Sequence, residues 1–167
     1  DGSLIEHIGS KTECALLQMV ENFVEENKDG TKAFRYLQLR EQKPVAQRYH
    51  FTSDRKRMST AIALGTGRTR LHVKGASEIV VELCSKILKP DGSSDAFTSQ
   101  DRKNANDNIT RMAEQGLRTL AIAFVDLNVD AQKLDPENPK EENLTLLGIV
   151  GIKDPIRVET AEAIRLL

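Results

Sequence analysis

Tryptophan is absent from this chain, and only five phenylalanines and two tyrosines occur among its 167 residues. An aromatic ring set beside cations therefore stands out. Cysteine is as scarce. Cys14 and Cys84 make no Cys-x-x-Cys pair, which argues against a zinc site. Both fall in apolar helical patterns and read as buried, reduced thiols. His7, His50 and His72 form neither His-Glu-x-x-His nor His-x-x-x-His, so no metal-ligating helix is expected. No apolar run approaches the roughly 18 to 20 residues that span a bilayer. The longest, Ala61 to Leu64 and Leu146 to Ile152, are strand-sized. The N-terminus lacks the pattern of a signal peptide, and residue 1 is Asp. The expectation is a soluble, cytosolic segment cut from a longer protein.

Several catalytic signatures are missing too. No Gly-x-x-x-x-Gly-Lys-Ser/Thr occurs, which excludes a Walker-type NTPase. No Gly-x-Gly-x-x-Gly follows a strand pattern, so a Rossmann dinucleotide site is unsupported. No Gly-x-Ser-x-Gly elbow is present, and no Ser-His-Asp or Cys-His set follows from spacing. The formal net charge is -1, whereas generic nucleic-acid binding needs a basic surplus. Any cation cluster must be local. The chain offers binding chemistry more clearly than bond-breaking chemistry.

Its length and apolar content suffice for one folded core. Lys11 to Glu26 has helical spacing in Ala15, Leu16, Met19, Val20 and Phe23. Thr31 to Arg40 reads as a second short helix or an irregular segment, which Pro44 breaks. Val45 to Phe51, Met58 to Leu64 and Arg70 to Lys74 read as strands, the last two joined by a Gly65-Thr-Gly67 hairpin turn. Ala76 to Leu88 reads as a helix on Ile79, Val80, Leu83 and Ile87, stopped by Pro90. Ser99 to Gln115 reads as a polar helix, capped near Thr98 and closed by Gly116. Leu117 to Val125 and Leu144 to Ile152 are further strands. Asn128 to Asn143 reads as an exposed polar loop, and a last helix follows Arg157. Strands gather at hairpins instead of alternating with helices. The predicted class is α+β, a mainly antiparallel sheet flanked by helices.

The binding chemistry gathers in two stretches, Phe51-Thr-Ser-Asp-Arg-Lys-Arg-Met-Ser59 and Val73-Lys-Gly-Ala-Ser-Glu78. An aromatic face stacks a purine, and Lys or Arg holds phosphates. A glycine lets a base approach the main chain. Lys56 and Met58 share a face if the strand has begun. Lys74 opens a Gly75-Ala76 turn into a helix, where its ammonium and the following amides face a ligand. Arg118 begins an otherwise apolar strand after Gly116. Taken singly, Phe51 reads equally as core, Lys56 and Lys74 as surface lysines, and Arg118 as a sheet-edge cation. Their co-occurrence marks the site.

With these residues in place, the chain resembles the nucleotide-binding domain of P-type cation-transporting ATPases. Five motifs match in family order: Lys11-Thr-Glu-Cys-Ala-Leu-Leu17, the Phe51 to Ser59 stretch, Lys74-Gly-Ala-Ser-Glu78, Gly116-Leu-Arg-Thr-Leu-Ala-Ile-Ala123 and Asp154-Pro-Ile-Arg157. The first and third are most similar to those of the plasma-membrane-type, calmodulin-regulated calcium pumps. The resemblance implies that Phe51 stacks on adenine and that Lys74 lines the pocket, with Gly75 and Ala76 admitting the base. Thr12 and Glu13 meet the adenine edge. Met58 and Leu120 give apolar contact, and Lys56 and Arg118 reach the phosphates. Ser53 stands where some calcium pumps carry a basic residue, with Arg55 as a nearby substitute.

The resemblance also implies a nucleotide-binding domain over residues 1–152, with 153–167 as the hinge back to a phosphorylation domain. ATP would be bound as its magnesium complex, the magnesium ligands lying mainly outside this segment. The partners implied are the phosphorylation and actuator domains of a parent pump at the cytosolic face of a membrane. Calmodulin would act, if at all, outside this segment. The Asp-Lys-Thr-Gly-Thr, Thr-Gly-Asp and Gly-Asp-Gly-x-Asn-Asp motifs are absent, so the fragment is expected to bind ATP without hydrolysing it. A stand-alone hydrolase, the same domain of another cation pump, and a ligand-free interaction domain are the competing readings.

Overall fold

The computed structural model describes residues 10–22 and 36–153. The chain divides into two compact units, one ending at Lys43 and the other beginning at Pro44. In the first unit, helix α1 spans Lys11–Asn22 and helix α2 spans Tyr36–Gln42. The Cys14 N–H donates to the Ser10 carbonyl at 3.0 Å and closes the first turn of α1. Ala15, Leu16, Met19 and Val20 are half-buried there, while Leu17 and Gln18 are exposed. That is the stripe the spacing predicts. The expected helical residues beyond Asn22, the start of the 31–40 segment, the hinge at Asp154-Pro155 and the final helix lie outside the described residues.

The second unit is built on a seven-stranded sheet. Its strands are β1 (Val45–Tyr49), β2 (Arg57–Gly65), β3 (Arg68–Ala76), β4 (Cys84–Leu88), β5 (Ser94–Ala96), β6 (Leu117–Leu127) and β7 (Leu144–Lys153). The spatial order is β1-β2-β3-β6-β7-β4-β5. Every pairing is antiparallel except β4 with β7. Among the described residues two α-helices accompany it, α3 (Ser77–Glu82) and α4 (Ser99–Glu114). The expected α+β class is therefore observed.

Alternation sorts the sheet into two faces. Ala61, Leu71, Val73, Ala121 and Ala123 share one buried cluster with Val80 and Val81 of α3 and Ala105 of α4. This is the core face. On it, Ala61 pairs with Leu71 and Val73 with Ala123, so small residues beside branched ones let the helices approach closely.

Local signals explain most boundaries. Gly65 and Gly67 have φ of 142° and 72° in the β2–β3 hairpin, values that disfavour any L side chain. Thr98 and Asp101 form a reciprocal capping box at the start of α4. Gly116, with φ 73°, follows its last turn and donates to the Ala113 carbonyl at 2.9 Å.

The helix expected over Ala76 to Leu88 is corrected. It stops at Glu82, and Cys84–Leu88 is strand β4. Ile79, Val80, Leu83 and Ile87 satisfy helical spacing, but residues 84–88 gain a partner in β7. The Leu144 N–H donates to the Leu83 carbonyl at 3.0 Å and fixes the changeover. Cys84 is buried, as expected, but in a strand. Burial pushes its thiol pKa up to about 12, against the lowering effect of Arg102. Cys14 is half-buried on α1.

Candidate functional site

Two of the sequence stretches meet at one corner of the sheet. Residues 50–56 connect β1 to β2, and Phe51 within them exposes 59% of its surface. A ring that open does not belong to the core. Lys56 ends the connection with φ 51°, a left-handed conformation on a non-glycine residue. Both of its main-chain polar groups are engaged. Its N–H donates to the Thr52 carbonyl at 2.8 Å, and its carbonyl accepts from the Ala76 N–H at 3.0 Å. The Phe51–Lys56 turn is thus fastened to the Lys74–Gly75–Ala76 segment.

Gly75 explains how the backbones come so close. A Cβ there would lie 2.6 Å from the Lys56 carbonyl oxygen and 2.5 Å from the Arg57 Cβ. The space a side chain would take is occupied by the chain itself. The Ala76 amide is likewise committed to Lys56 and not to an outside ligand. Because β2 begins at Arg57, the strand alternation does not reach Lys56, and its shared face with Met58 is not set by strand geometry.

On the sheet face opposite the core, register makes a row. Met58 pairs with Lys74, and Lys74 pairs with Ile122. Ala76 pairs with Leu120 one step further along, and Arg118 lies two residues beyond Leu120. Met58, Lys74, Ala76, Leu120 and Ile122 are half-buried, and Arg118 and Lys56 are exposed. The pairing of β6 with β7 shifts between Ile122 and Ala123, an irregularity directly beside Lys74. At the other end of this face Arg70 grips Asp126 with two hydrogen bonds, 2.6 and 2.8 Å, and lies 4.3 Å over the Phe124 ring. The Arg70 hydrogen bond holds the Asp126 carboxyl below the usual carboxylate range. At that end Asp126 is shared by Arg70 and, at 3.8 Å, Arg68, while Lys56, Lys74 and Arg118 lie toward the other end.

A second cluster lies under the same turn, on the core face. The Glu141 side chain is 2% exposed. It accepts from Arg57 Nε at 2.5 Å, and also from Arg55 Nη2 and Ser59 Oγ. Arg55 Nη1 donates further to the His50 carbonyl at 3.1 Å, and Arg57 Nη1 to the Arg55 carbonyl at 3.0 Å. Arg55, expected as a substitute phosphate ligand beside Ser53, is here held by a buried carboxylate. The segment 128–143, expected as an exposed loop, is mostly exposed and outside α-helix and strand, with Glu141 buried within it. It carries a 3-10 turn at Ala131–Lys133, and the Tyr49 hydroxyl donates to the Asp135 carbonyl at 2.8 Å.

Phe51, Lys56, Met58, Lys74, Gly75, Ala76, Leu120 and Arg118 all lie in the second unit, on or beside three adjacent strands. Thr12 and Glu13 are half-buried in the first turn of α1, in the first unit. Sequence reasoning missed Ile122, which the alternation from Leu120 signals. It also missed Glu141, for which no local pattern exists.

An exposed ring on a pinned turn, beside a half-buried row that includes Met58, Lys74 and Leu120 on an α+β sheet, suits a binding domain. The family model for "P-type ATPase, cytoplasmic domain N" matches residues 1–159. The chain belongs to that family. It is similar to plasma membrane calcium-transporting ATPase 4 of Bos taurus, 41% identical over 98% of the chain. Type 3 of Rattus norvegicus is 39% identical and type 1 of Gallus gallus 38%, each over 99% of the chain. The chain spans 13% of the length of each of these relatives. Among the described residues no helix is long and apolar enough to cross a membrane.

Proposed function

We propose that this chain is the ATP-binding module of a calcium-transporting P-type pump, set at the cytosolic face of its membrane. The observation that carries the proposal is the exposed Phe51 ring on a turn fastened to Lys74–Ala76. In this reading Phe51 stacks on adenine, and Met58, Leu120 and Ile122 form the apolar wall beside Lys74. Lys56 and Arg118 meet the phosphates, and Gly75 and Ala76 lie beside the base. ATP would arrive as its magnesium complex. The ion neutralises phosphate charge and takes its ligands mainly from elsewhere in the pump.

Stacking contributes roughly 1–3 kcal/mol and a charge-assisted hydrogen bond roughly 1.5–3. Association entropy offsets much of this. A dissociation constant between about 0.1 and a few mM follows, since 1 mM corresponds to about -4 kcal/mol. Such weak binding suits a module that hands its nucleotide onward. The γ-phosphate would reach an aspartate of the phosphorylation domain by closure at Asp154-Pro155, a matter of proximity and orientation. The actuator domain and calmodulin would act on the parent pump beyond this segment.

The test is an ATP titration of the isotope-labelled chain, with Phe51→Ala in parallel. Amide shifts centred on Glu13, Phe51, Lys74, Gly75 and Arg118 are expected, with ATP binding lost in a still-folded Phe51→Ala. Unmoved spectra, or a variant that binds like the parent, would overturn the proposal and favour an interaction domain. Phosphate release above the Phe51→Ala level would favour a hydrolase.

A further inference from the structure

We infer that Glu141 is a positioning residue for the nucleotide site, fixing Lys56 and the Phe51 turn from the opposite face of the sheet. This rests on the nucleotide reading above. The carboxylate has only two oxygens, and three side chains converge on them. Arg55 and Ser59 share one, and Arg57 takes the other. Two of these partners, Arg55 and Arg57, flank Lys56 in sequence. A left-handed lysine is an uncommon backbone state that persists only when its surroundings over-determine it. Here both neighbours are held by one buried anion, while the Lys56 carbonyl is held by the Ala76 amide. Arg55 carries the grip further back, because its other nitrogen binds the carbonyl of His50, the residue before Phe51.

The consequence is directional. Arg55 and Arg57 are drawn toward the core face, so the intervening Lys56 leaves the strand with its side chain exposed. Without the carboxylate, two half-buried guanidiniums would lose their partner and turn outward to water. The turn would lose the geometry that sets its ring and ammonium. Glu141 touches no nucleotide in this account and acts through Lys56 and Phe51.

The experiment measures ATP affinity per folded molecule for the parent, Glu141→Gln, Lys56→Ala and the double variant. Arg55→Met is a second way to break the grip should Glu141→Gln fold poorly. Glu141→Gln and Arg55→Met should each raise the ATP dissociation constant about threefold to tenfold, part of one charge-assisted hydrogen bond. In the Lys56→Ala background the Glu141→Gln effect on ATP should shrink to the part carried by the Phe51 turn, while its effect on melting temperature stays. A purely structural role predicts the reverse, unchanged affinity of the folded fraction with the same loss of melting temperature. Unchanged affinity in both single variants, or a full extra loss in the double variant, would overturn the inference. Loss of ATP in Phe51→Ala alongside those results would leave the nucleotide reading standing. A parent chain that does not bind ATP would remove both.

Discussion

Two turns of the same sheet are built in opposite ways. The β2–β3 hairpin takes its positive φ on glycines, Gly65 and Gly67, with nothing within 4 Å of where their Cβ atoms would be, and one distant contact, the Gly67 N–H to Asp130 Oδ1 at 2.6 Å, steadies it. The β1–β2 connection takes its positive φ on Lys56 and is held from outside. Ala76 grips its carbonyl, Gly75 leaves room for it, and Glu141 binds its flanking arginines. The first turn closes a sheet, and the second presents side chains. A turn that must carry a ring and a cation cannot be glycine at those positions, so its conformation is imposed by residues distant in sequence.

The contrast is sharpest at the glycines. Gly75→Ala should cost about 1–3 kcal/mol of stability by overpacking against Lys56 and Arg57 backbone, and it should weaken ATP binding as the Lys56 carbonyl moves. Denaturant midpoints with parallel ATP titrations measure both. If Gly75→Ala lost stability but kept full affinity, the turn would not set the site. Gly67→Ala should cost about 1 kcal/mol through its positive φ alone, and ATP binding should not change. An affinity loss there would erase the distinction between the turns.

The smallest effect tests the far end of the row. Arg70 depresses the Asp126 carboxyl, so its stabilising contribution is present above the ordinary carboxylate pKa and is lost as pH falls through the depressed value. Asp126→Asn should lower stability by less than about 1 kcal/mol at neutral pH. The difference from the parent should shrink as the pH is taken below ~4. A difference that holds constant through that range would assign the loss to packing against Phe124.

What was readable in the sequence follows the same division. Gly65-Thr-Gly67, the Thr98 cap and Gly116 declare themselves because each local conformation needs a particular residue type. Phe51, Lys74 and Arg118 were visible through the company they keep. Residues 84–88 were not, because Leu83 and Ile87 fit a helix as well as a strand, and β7, which decides between them, lies some sixty positions on. Glu141 is one of 25 acids, and only the folded path of the segment before β7 brings it to Arg57. For the same reason its grip on Arg55 was not legible.

The span of the Glu141 contacts bears on when the site comes into being. They close loops of 82 to 86 residues, whereas β2 and β3 pair through a two-glycine turn between neighbours in sequence. Long-range contacts form late because loop closure must precede them. As the chain emerges from the ribosome, the hairpin is complete long before residue 141 appears. The Phe51 turn is thus among the first parts of the sheet to be synthesised and among the last to acquire its working shape. Nucleotide competence should lag secondary structure during refolding.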